Sequence, residues 1–215
     1  MRRGPPAGCY SEETRMKPGI VRREVEIKLP VPSAASARRL LARHGFRLAH
    51  RRTLQSDTVW DDPSGRLRRS GVLLRLRQAG RRAWLTYKGP ALPGRHKDRE
   101  ELEQPLASQA TALLTAVLER LGFRPVFRYQ KYRTEYRPQR GAGLVALDET
   151  PIGVFLELEG DPDWIDRTAR RLGFSPADYI TATYADLYLG HCRRLGRRPG
   201  DMVFAGTAER TRCRG

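Results

Sequence analysis

The sequence predicts an α+β fold in which eight antiparallel β-strands form a barrel and a few helices pack outside it. Alternating polar and apolar segments, turn signals between them and only three helix-like segments predict this fold. Residues two apart in a strand lie on one face, and many short strands separated by turns are typical of closed antiparallel sheets. The predicted strands are 21–29, 46–60, 72–79, 82–88, 98–106, 124–137, 143–148 and 152–159.

Three further segments carry the signals of capped α-helices. They span residues 33–45, 108–122 and 161–173, and each begins with Ser or Asp and ends with Gly. A Ser or Asp at the start accepts hydrogen bonds from free backbone N–H groups, and a Gly just past the end adopts the left-handed conformation without strain. We therefore expect these segments to be the helices outside the barrel.

A constant offset relates the two halves of this pattern. Residues 24–26, Glu-Val-Glu, recur 77 positions later as Glu-Leu-Glu at 101–103, and the Gly-Phe pair at 45–46 recurs at 122–123. Each half has a charged strand, a helix, a Gly-Phe turn and a long strand. This order predicts a two-fold duplication of one unit, with chance matches as the alternative.

The composition gives a weaker functional signal. The chain has 215 residues, which suits one domain with a sizeable core. Its formal charge of +17 is of the kind found in nucleic-acid-binding proteins. However, only five of the 41 basic residues are Lys, and such an Arg excess is typical of a GC-rich coding bias. Nucleic acid is therefore not the expected partner, although an Arg-rich nucleic-acid module stays open as an alternative.

The two ends of the chain differ from its middle. Residues 1–19 and 193–215 mix Gly, Pro and charge without periodicity, and the second segment has seven Arg against two acids. Segments of this composition are commonly disordered. We expect one domain over residues 20–192, with a disordered N-terminal tail and a basic, disordered C-terminal tail that take no part in function.

Membrane and disulfide chemistry have little support in the sequence. No stretch approaches the ~18 consecutive apolar residues of a membrane span, and the N-terminus lacks the apolar part of a signal peptide. Cys9, Cys192 and Cys213 are far apart and indicate neither a zinc site nor a disulfide framework. These features predict a cytoplasmic protein without membrane contact.

Charged residues alternate with apolar ones in several predicted strands. In the first strand Glu24, Glu26 and Lys28 share one face, and Arg75 and Arg77 share another face farther along. Like charges at neighbouring positions destabilise a sheet unless something compensates them. A barrel with its charged faces inward explains the pattern, because charges held away from water need partners.

The inward faces would then carry opposed sets of bases and acids. Bases can hold phosphate oxygens, for which Arg offers a two-pronged grip. Carboxylates can hold a hard cation such as Mg²⁺ or Mn²⁺, which itself bridges phosphates. The predicted bases are Lys28, Arg75, Arg77, Lys88, Lys131 and Arg133, and the predicted acids are Glu24, Glu26, Glu101, Glu103, Asp148, Glu157 and Glu159, with Glu135 as a further candidate.

Ordered motifs give this pattern a family resemblance. Residues 24–28 have the Glu-x-Glu-x-Lys motif of the CYTH superfamily, also called triphosphate tunnel metalloenzymes. The resemblance continues in order over about residues 20–190. Residues 57–61 resemble the family's DxYFD-type strand with Trp60 as the aromatic, 74–77 its LRLR strand, 85–90 its LTYKGP segment, 99–103 its RxExE strand, 131–133 its KxR strand, and 147–149 and 153–159 its closing strands.

The resemblance implies a tunnel with the substrate inside it. Carried over residue by residue, it implies a metal site at Glu24, Glu26, Asp148, Glu157 and Glu159. It implies a triphosphate grip by Lys28, Arg75, Arg77, Lys88, Lys131 and Arg133, with Lys28, Lys88 and Glu103 in the chemical step. Glu101 matches as well, with its role open. Tyr184 and Asp186 follow the barrel, and we expect them to pack a helix rather than to reach the tunnel mouth.

The family contains class IV adenylyl cyclases and several triphosphatases. In a cyclase the ribose 3′-hydroxyl attacks the α-phosphorus, whereas in a triphosphatase water attacks the terminal phosphorus; both gain from cations and metal placed where charge develops. Residues 86–90 and 147–160 resemble the bacterial class IV cyclase branch, which favours conversion of ATP to cyclic AMP and pyrophosphate. Hydrolysis of tripolyphosphate or thiamine triphosphate, a non-catalytic triphosphate-binding module and a homodimer stay open.

Overall fold

The computed structural model describes residues 19–107 and 109–206. The strands are β1 (Ile20–Val31), β2 (Phe46–Asp61), β3 (Leu73–Ala79), β4 (Arg82–Lys88), β5 (Lys97–Leu106), β6 (Arg124–Pro138), β7 (Leu144–Thr150) and β8 (Gly153–Glu159). They form a closed antiparallel barrel in the order β1-β5-β4-β3-β2-β6-β7-β8. The predicted eight-stranded barrel is therefore confirmed.

The strand order agrees with the predicted duplication. Exchanging β1–β4 with β5–β8 reproduces the same ring of neighbours, because β1 pairs with β5 and β2 pairs with β6. The helix between β1 and β2 corresponds to the helix between β5 and β6. The repeated Glu-x-Glu segments thus lie on the paired strands β1 and β5.

The described residues form five α-helices, two of which were not predicted from helix signals in the sequence. They are α1 (Ala34–Arg43), α2 (Arg66–Arg69), α3 (Ala110–Arg120), α4 (Pro162–Arg171) and α5 (Tyr184–Arg194). The predicted caps Ser33 and Asp161 accept hydrogen bonds from backbone N–H groups at the starts of α1 and α4. The predicted cap Ser108 lies outside the described residues, and Gln109 stands at the N-cap of α3 without a side-chain bond to it. The short α2 lies in the connection between β2 and β3, where no helix was predicted.

The main apolar core lies between the barrel wall and the helices α1 and α4. Ile27 and Leu29 of β1 have no exposed surface, and neither do Leu41 of α1 and Ile165 of α4. Burying each such side chain stabilises the fold by about 1.5–3 kcal/mol. Because strand residues alternate in direction, apolar side chains that point out to the helices leave the charged residues pointing into the barrel.

The prediction of a disordered C-terminal tail is wrong for residues 193–206. Helix α5 continues to Arg194, and Met202 is only 1% exposed because it packs on the barrel. The absence of periodicity suggested a tail, but residues 200–205 gain their order from tertiary contacts with β6. We call residues 200–205 the strap. The predicted N-terminal tail over 1–18 and the remainder of the C-terminal tail over 207–215 lie outside the described residues.

The described residues also bear on membrane contact and cysteine chemistry. None of the five helices is long and apolar enough to cross a membrane. Cys192 is buried in α5 and is a free thiol, whereas Cys9 and Cys213 lie outside the described ranges.

Candidate functional site: the charged lumen of the barrel

A cavity of about 190 Å³ runs into the barrel lumen and is lined almost entirely by charged side chains. All six predicted bases line it, and so do all the predicted acids except Asp148, which lies fully buried behind the surface of the cavity. The lining is completed by Arg22, Leu73, Lys97, Arg99, Tyr129, Leu144, Thr183 and Tyr184. The structure therefore agrees with the prediction that the charged faces point into the barrel. The individual roles of these residues remain predictions.

Register places opposite charges side by side around most of the lumen. Glu26 lies opposite Lys97, and Glu24 lies opposite Arg99, across β1 and β5. The Lys97 ammonium donates to Glu26 Oε1 at 3.1 Å, and Lys28 donates to the same oxygen at 3.0 Å. Such cross-strand pairs offset part of the cost of burying the charges.

Lys88 reaches across the lumen to the acids of β1 and β5. Its ammonium contacts both carboxylate oxygens of Glu24 and lies 3.2 Å from Glu101 Oε1. Arg22 donates to Glu101 Oε2 at 3.0 Å and also pairs with Glu159 at 2.7 Å. Because the Arg22 side chain is 44% exposed, these contacts mark the solvent-facing mouth of the tunnel.

A second group of contacts organises the β2, β3 and β4 side of the lumen. Asp57 is fully buried and accepts a hydrogen bond from Arg77 Nε at 2.8 Å. Arg75 Nε lies 3.3 Å from the same carboxylate, without hydrogen-bond geometry. The Arg75 guanidinium also donates to the Tyr129 hydroxyl at 3.2 Å and to Thr86 at 3.3 Å. Two guanidinium groups are thereby held side by side in the lumen wall.

The third group of contacts lies at the end of the lumen away from the Arg22 mouth, where Asp148 is completely buried. Arg133 grips Asp148 with two hydrogen bonds of 2.7 and 2.6 Å, and Lys131 donates to it at 2.7 Å. The Tyr184 hydroxyl donates to Asp148 Oδ2 at 2.8 Å. Arg133 also contacts Glu157. Tyr184 thus belongs to the tunnel, against our expectation, whereas Asp186 serves the capping box of α5.

The Tyr184 end of the lumen is closed by apolar side chains. Phe127 lies two residues before Tyr129 and Val59 two residues after Asp57, so both share the lumen-facing side of their strands. They pack in one cluster with Tyr184 and Met202. The charged lining gives way here to an apolar plug, so the tunnel opens at the Arg22 mouth.

The buried charges shift one another's proton affinities. Burial alone would raise the pKa of Glu26, but the ammonium groups of Lys28 and Lys97 hold that pKa well below its usual range. The pKa of Glu157 is likewise lowered by Arg133 and Lys131 against the effect of burial. These carboxylates are therefore ionised at neutral pH.

The pKa values of two lysines and one acid in the lumen shift towards the uncharged form. Burial lowers the pKa of Lys131 to about 8, helped by the neighbouring Arg133 guanidinium. Burial, together with nearby cations, also lowers the pKa of Lys97 to about 8. Burial and the Glu24 carboxylate raise the pKa of Glu159. Burial is the larger cause at Glu159, since the Arg22 guanidinium lowers the same pKa.

The donor set near the mouth fits a hard divalent cation. Glu26 and Glu159 face each other across β1 and β8, and like charges in register are destabilising unless a cation compensates them. Carboxylate oxygens are the ligands that Mg²⁺ and Mn²⁺ prefer. Within the described residues no three acidic, His or Cys side chains already converge as a metal site. Binding therefore requires the carboxylates to exchange their Lys and Arg partners for the ion.

Sequence reasoning missed several lumen residues. Lys97 and Arg99 share the face of Glu101 and Glu103, and Arg22 shares that of Glu24, so extending the alternation would have found them. Asp57 lay within a recognised motif, but its burial between two Arg depends on strand register. Tyr129 shares the face of Lys131 and Arg133 and would have been found in the same way. Leu73, Leu144 and Thr183 had no comparable charge signal.

The family profile for the CYTH domain matches residues 22–184. The chain belongs to the CYTH family. The triphosphate tunnel metalloenzymes of this family use divalent metal ions. The closed eight-stranded barrel of this chain has the fold of that family. The matched region contains all the predicted site residues and ends at Tyr184.

The chain is similar to proteins whose names refer to one or both of the candidate reactions. A Methanocaldococcus jannaschii protein described as a candidate adenylate cyclase is 28% identical over 136 residues, covering 63% of this chain and 75% of that protein. A Pyrococcus horikoshii OT3 structure is 25% identical with a TM-score of 0.65, covering 78% of this chain and 99% of that one. A Hippeastrum structure, described as a candidate adenylyl cyclase with a dominant triphosphatase activity, has a TM-score of 0.57 at 20% identity and covers 82% and 97% of the two chains.

Proposed function

We propose that this CYTH chain is a divalent-metal-dependent enzyme that hydrolyses the triphosphate group of a small molecule bound in the tunnel. The observation that carries the proposal is the lumen itself, where buried Lys and Arg side chains face buried carboxylates around one cavity. A plain anion-binding site would need the cations but not the acids, and a structural sheet would need neither set inside. A triphosphate with its metal ion uses both sets.

Binding would proceed by exchange of partners. The phosphate oxygens would take the guanidinium groups of Arg75, Arg77 and Arg133 and the ammonium groups of Lys28, Lys88 and Lys131. Glu24 and Glu26 would thereby lose Lys88 and Lys28 and could hold Mg²⁺ or Mn²⁺ together with Glu159. When bound, the ion neutralises phosphate charge and polarises the phosphoryl group. Because each ligand frees the partners of the other, metal and triphosphate should bind cooperatively.

The protein's own residues supply positioning and charge stabilisation. The guanidinium groups of Arg75 and Arg77 are fixed by Asp57, Thr86 and Tyr129, so little reorganisation is needed when negative charge develops on the phosphate oxygens. Their two-pronged geometry suits equatorial phosphate oxygens. The apolar plug excludes water from behind the closed end, which strengthens these electrostatic interactions.

Hydrolysis is favoured over cyclisation by the chemistry of the lining. The aromatic and apolar lining residues are Leu73, Leu144, Tyr129 and Tyr184, and both Tyr hydroxyls are bonded to charged lumen residues. The cavity of about 190 Å³ is smaller than the ~300–1,000 Å³ typical of pockets for drug-sized ligands. The lumen therefore suits a phosphate chain better than a whole nucleotide.

Conversion of ATP to cyclic AMP is the second candidate. It is supported by the likeness to the M. jannaschii protein described as a candidate adenylate cyclase. In this case the nucleoside would lie at the Arg22 mouth, with the triphosphate chain extending towards the closed end. The same lumen residues would then stabilise pyrophosphate as it leaves the α-phosphorus.

Product analysis separates the two reactions. We would incubate the full chain with tripolyphosphate, thiamine triphosphate or ATP, each with Mg²⁺ or Mn²⁺, and follow phosphorus NMR and cyclic AMP. Orthophosphate with a diphosphate product supports hydrolysis, whereas cyclic AMP with pyrophosphate supports cyclisation. If all three triphosphates remain intact at high enzyme concentration in both metals, the enzymatic proposal is wrong.

A further inference from the structure

The strap completes a sheet edge that β7 leaves open. Strand β7 pairs with β6 only over Tyr132–Tyr136, so the first half of β6 lacks a neighbour on that side. The strap fills the gap: Met202 N donates to Arg128 O and Gln130 N donates to Met202 O, both at 2.9 Å. Asp201 Oδ1 accepts from Arg128 N at 2.8 Å. The strap therefore forms a parallel β-bridge with β6 between Met202 and Tyr129.

Side chains hold the strap in the same place. Met202 is 1% exposed and packs in a cluster with Tyr129, Phe155 and Tyr184. The Phe204 ring lies against Tyr132, with their centroids 5.1 Å apart. Met202 is thus directly behind two Tyr residues that line the tunnel.

Tyr129 joins the strap to the phosphate grip. Its ring packs in the Met202 cluster, and its hydroxyl accepts a hydrogen bond from the Arg75 guanidinium at 3.2 Å. The described strap residues themselves lie outside the tunnel lining. The side-chain contacts that connect the strap to lining residues are those of the Met202 cluster with Tyr129 and Tyr184.

Protection of the β6 edge alone does not account for the strap. The corresponding half of β2, residues 46–54, also lacks a neighbour on one side, because β3 pairs only from Gln55 onward. No strand among the described residues covers that edge, which has register shifts between Leu48 and Thr53 and exposed Arg side chains. Bulges and charges of this kind suffice to protect a strand edge. The strap lies beyond residues 22–184, the part of the chain that the family profile matches.

We propose that the strap is a positioning element of the active site, which fixes Tyr129 through Met202 and thereby holds the Arg75 guanidinium in its phosphate-binding orientation. This inference rests on the proposed function, since it takes Arg75 to bind the triphosphate. The strap residues do not contact the substrate and are not catalytic residues.

Two truncations and a double-variant cycle test this role. A chain ending at Arg198 lacks the strap, and the matched control ends at Gly206 and lacks only residues 207–215. We expect the first truncation to raise the calorimetric Kd for tripolyphosphate and the KM about tenfold, as expected for a weakened charged contact. The control should match the full chain. The Met202→Ala variant should show the same effect in part, and Met202→Leu should restore binding.

The cycle with Tyr129→Phe distinguishes positioning from general loss of stability. If the strap acts through the Tyr129 hydroxyl, the Tyr129→Phe variant has already lost its effect. Removing the strap from that variant should then weaken tripolyphosphate binding little further. Multiplicative losses, or an unchanged Kd in the Arg198 chain, would overturn the proposal. If that chain does not fold, the Met202→Ala and Met202→Leu variants decide by the same cycle. Failure of the full chain to bind tripolyphosphate would instead overturn the proposed function, and this inference with it.

Discussion

Arg133 and Asp148 form a two-pronged ion pair across β6 and β7, with hydrogen bonds of 2.7 and 2.6 Å inside the barrel. The same carboxylate accepts from Lys131 and Tyr184. Asp148 was predicted as a metal ligand, but in this structure it holds two cations and a hydroxyl. Asp148 therefore orients Lys131 and Arg133 of the grip, and its role towards metal remains a prediction.

The first prediction concerns the geometry of this pair. Replacing Arg133 with Lys keeps the charge but removes the two-pronged contact. We expect the KM for the triphosphate to rise about 10- to 100-fold, corresponding to ~1.5–3 kcal/mol for charge-assisted hydrogen bonds. The control is Arg51→Lys, because Arg51 is exposed on β2. Steady-state kinetics of the two variants make the comparison, and equal KM values would contradict a phosphate-binding role for Arg133.

The second prediction concerns the metal side. Glu26→Gln removes one carboxylate charge at the mouth while keeping the side-chain shape. Because a neutral amide is a poorer ligand for Mg²⁺ or Mn²⁺, activity should fall and should recover partly as the metal concentration rises. Arg77→Ala should lose activity that added metal does not restore. A metal titration of both variants tests this contrast, and identical metal dependence would show that Glu26 does not serve the ion.

The third prediction uses the pKa of Asp57. Burial alone would raise this pKa, but the guanidinium groups of Arg77 and Arg75 lower it below the ordinary value. The folded state therefore binds fewer protons than the unfolded state between the two pKa values. The stabilisation is present above the unfolded pKa of ~3.9 and is lost as pH falls through the lowered folded pKa.

Asp57→Asn should consequently be less stable than the parent protein near neutral pH, with the gap narrowing in acid. We would measure urea unfolding of both proteins between about pH 6 and pH 3. The protonated Asp57 resembles Asn in charge, so the difference in the free energy of unfolding should become smaller towards the acid end. A gap that stays constant or widens would mean that Asp57 is not held ionised by its Arg partners.

The fourth prediction concerns the core that places the charged faces inward. Leu158 on β8 is fully buried beneath the helices. Leu158→Ala should lower the free energy of unfolding by about 2–5 kcal/mol, through lost transfer energy and a residual cavity. Exposed Leu113 on α3 provides the matched control, and Leu113→Ala should change stability by less than about 0.5 kcal/mol. Equal losses would contradict the assigned core.

The alternation of polar and apolar residues along the strands predicted most of the fold and many of the residues that line the lumen. The pattern around Glu24 and Arg75 specified which residues share a face, and closure of the barrel followed from the strand number. Alternation does not specify which strands are neighbours, so the burial of Asp57 between Arg75 and Arg77 could not be derived. The motif likenesses located the acids but could not separate Asp148 from the mouth carboxylates.

The C-terminal elements show a different limit of the sequence. Thr183 and Asp186 form a capping box that is a readable helix signal, yet the position of Tyr184 depends on how α5 crosses the barrel end. The strap has one buried apolar residue, Met202, in an Arg- and Gly-rich segment. Its order comes from the open edge of β6, which is a feature of the folded barrel rather than of local sequence.

The most direct test of the central claim is a crystal structure of the full chain with tripolyphosphate and Mn²⁺. Our account predicts the phosphate chain inside the barrel, with oxygens on Arg75, Arg77 and Arg133, and an anomalous manganese peak among Glu24, Glu26 and Glu159. An anion bound only to the exposed Arg residues of the outer surface, with the lumen ion pairs unchanged, would contradict it.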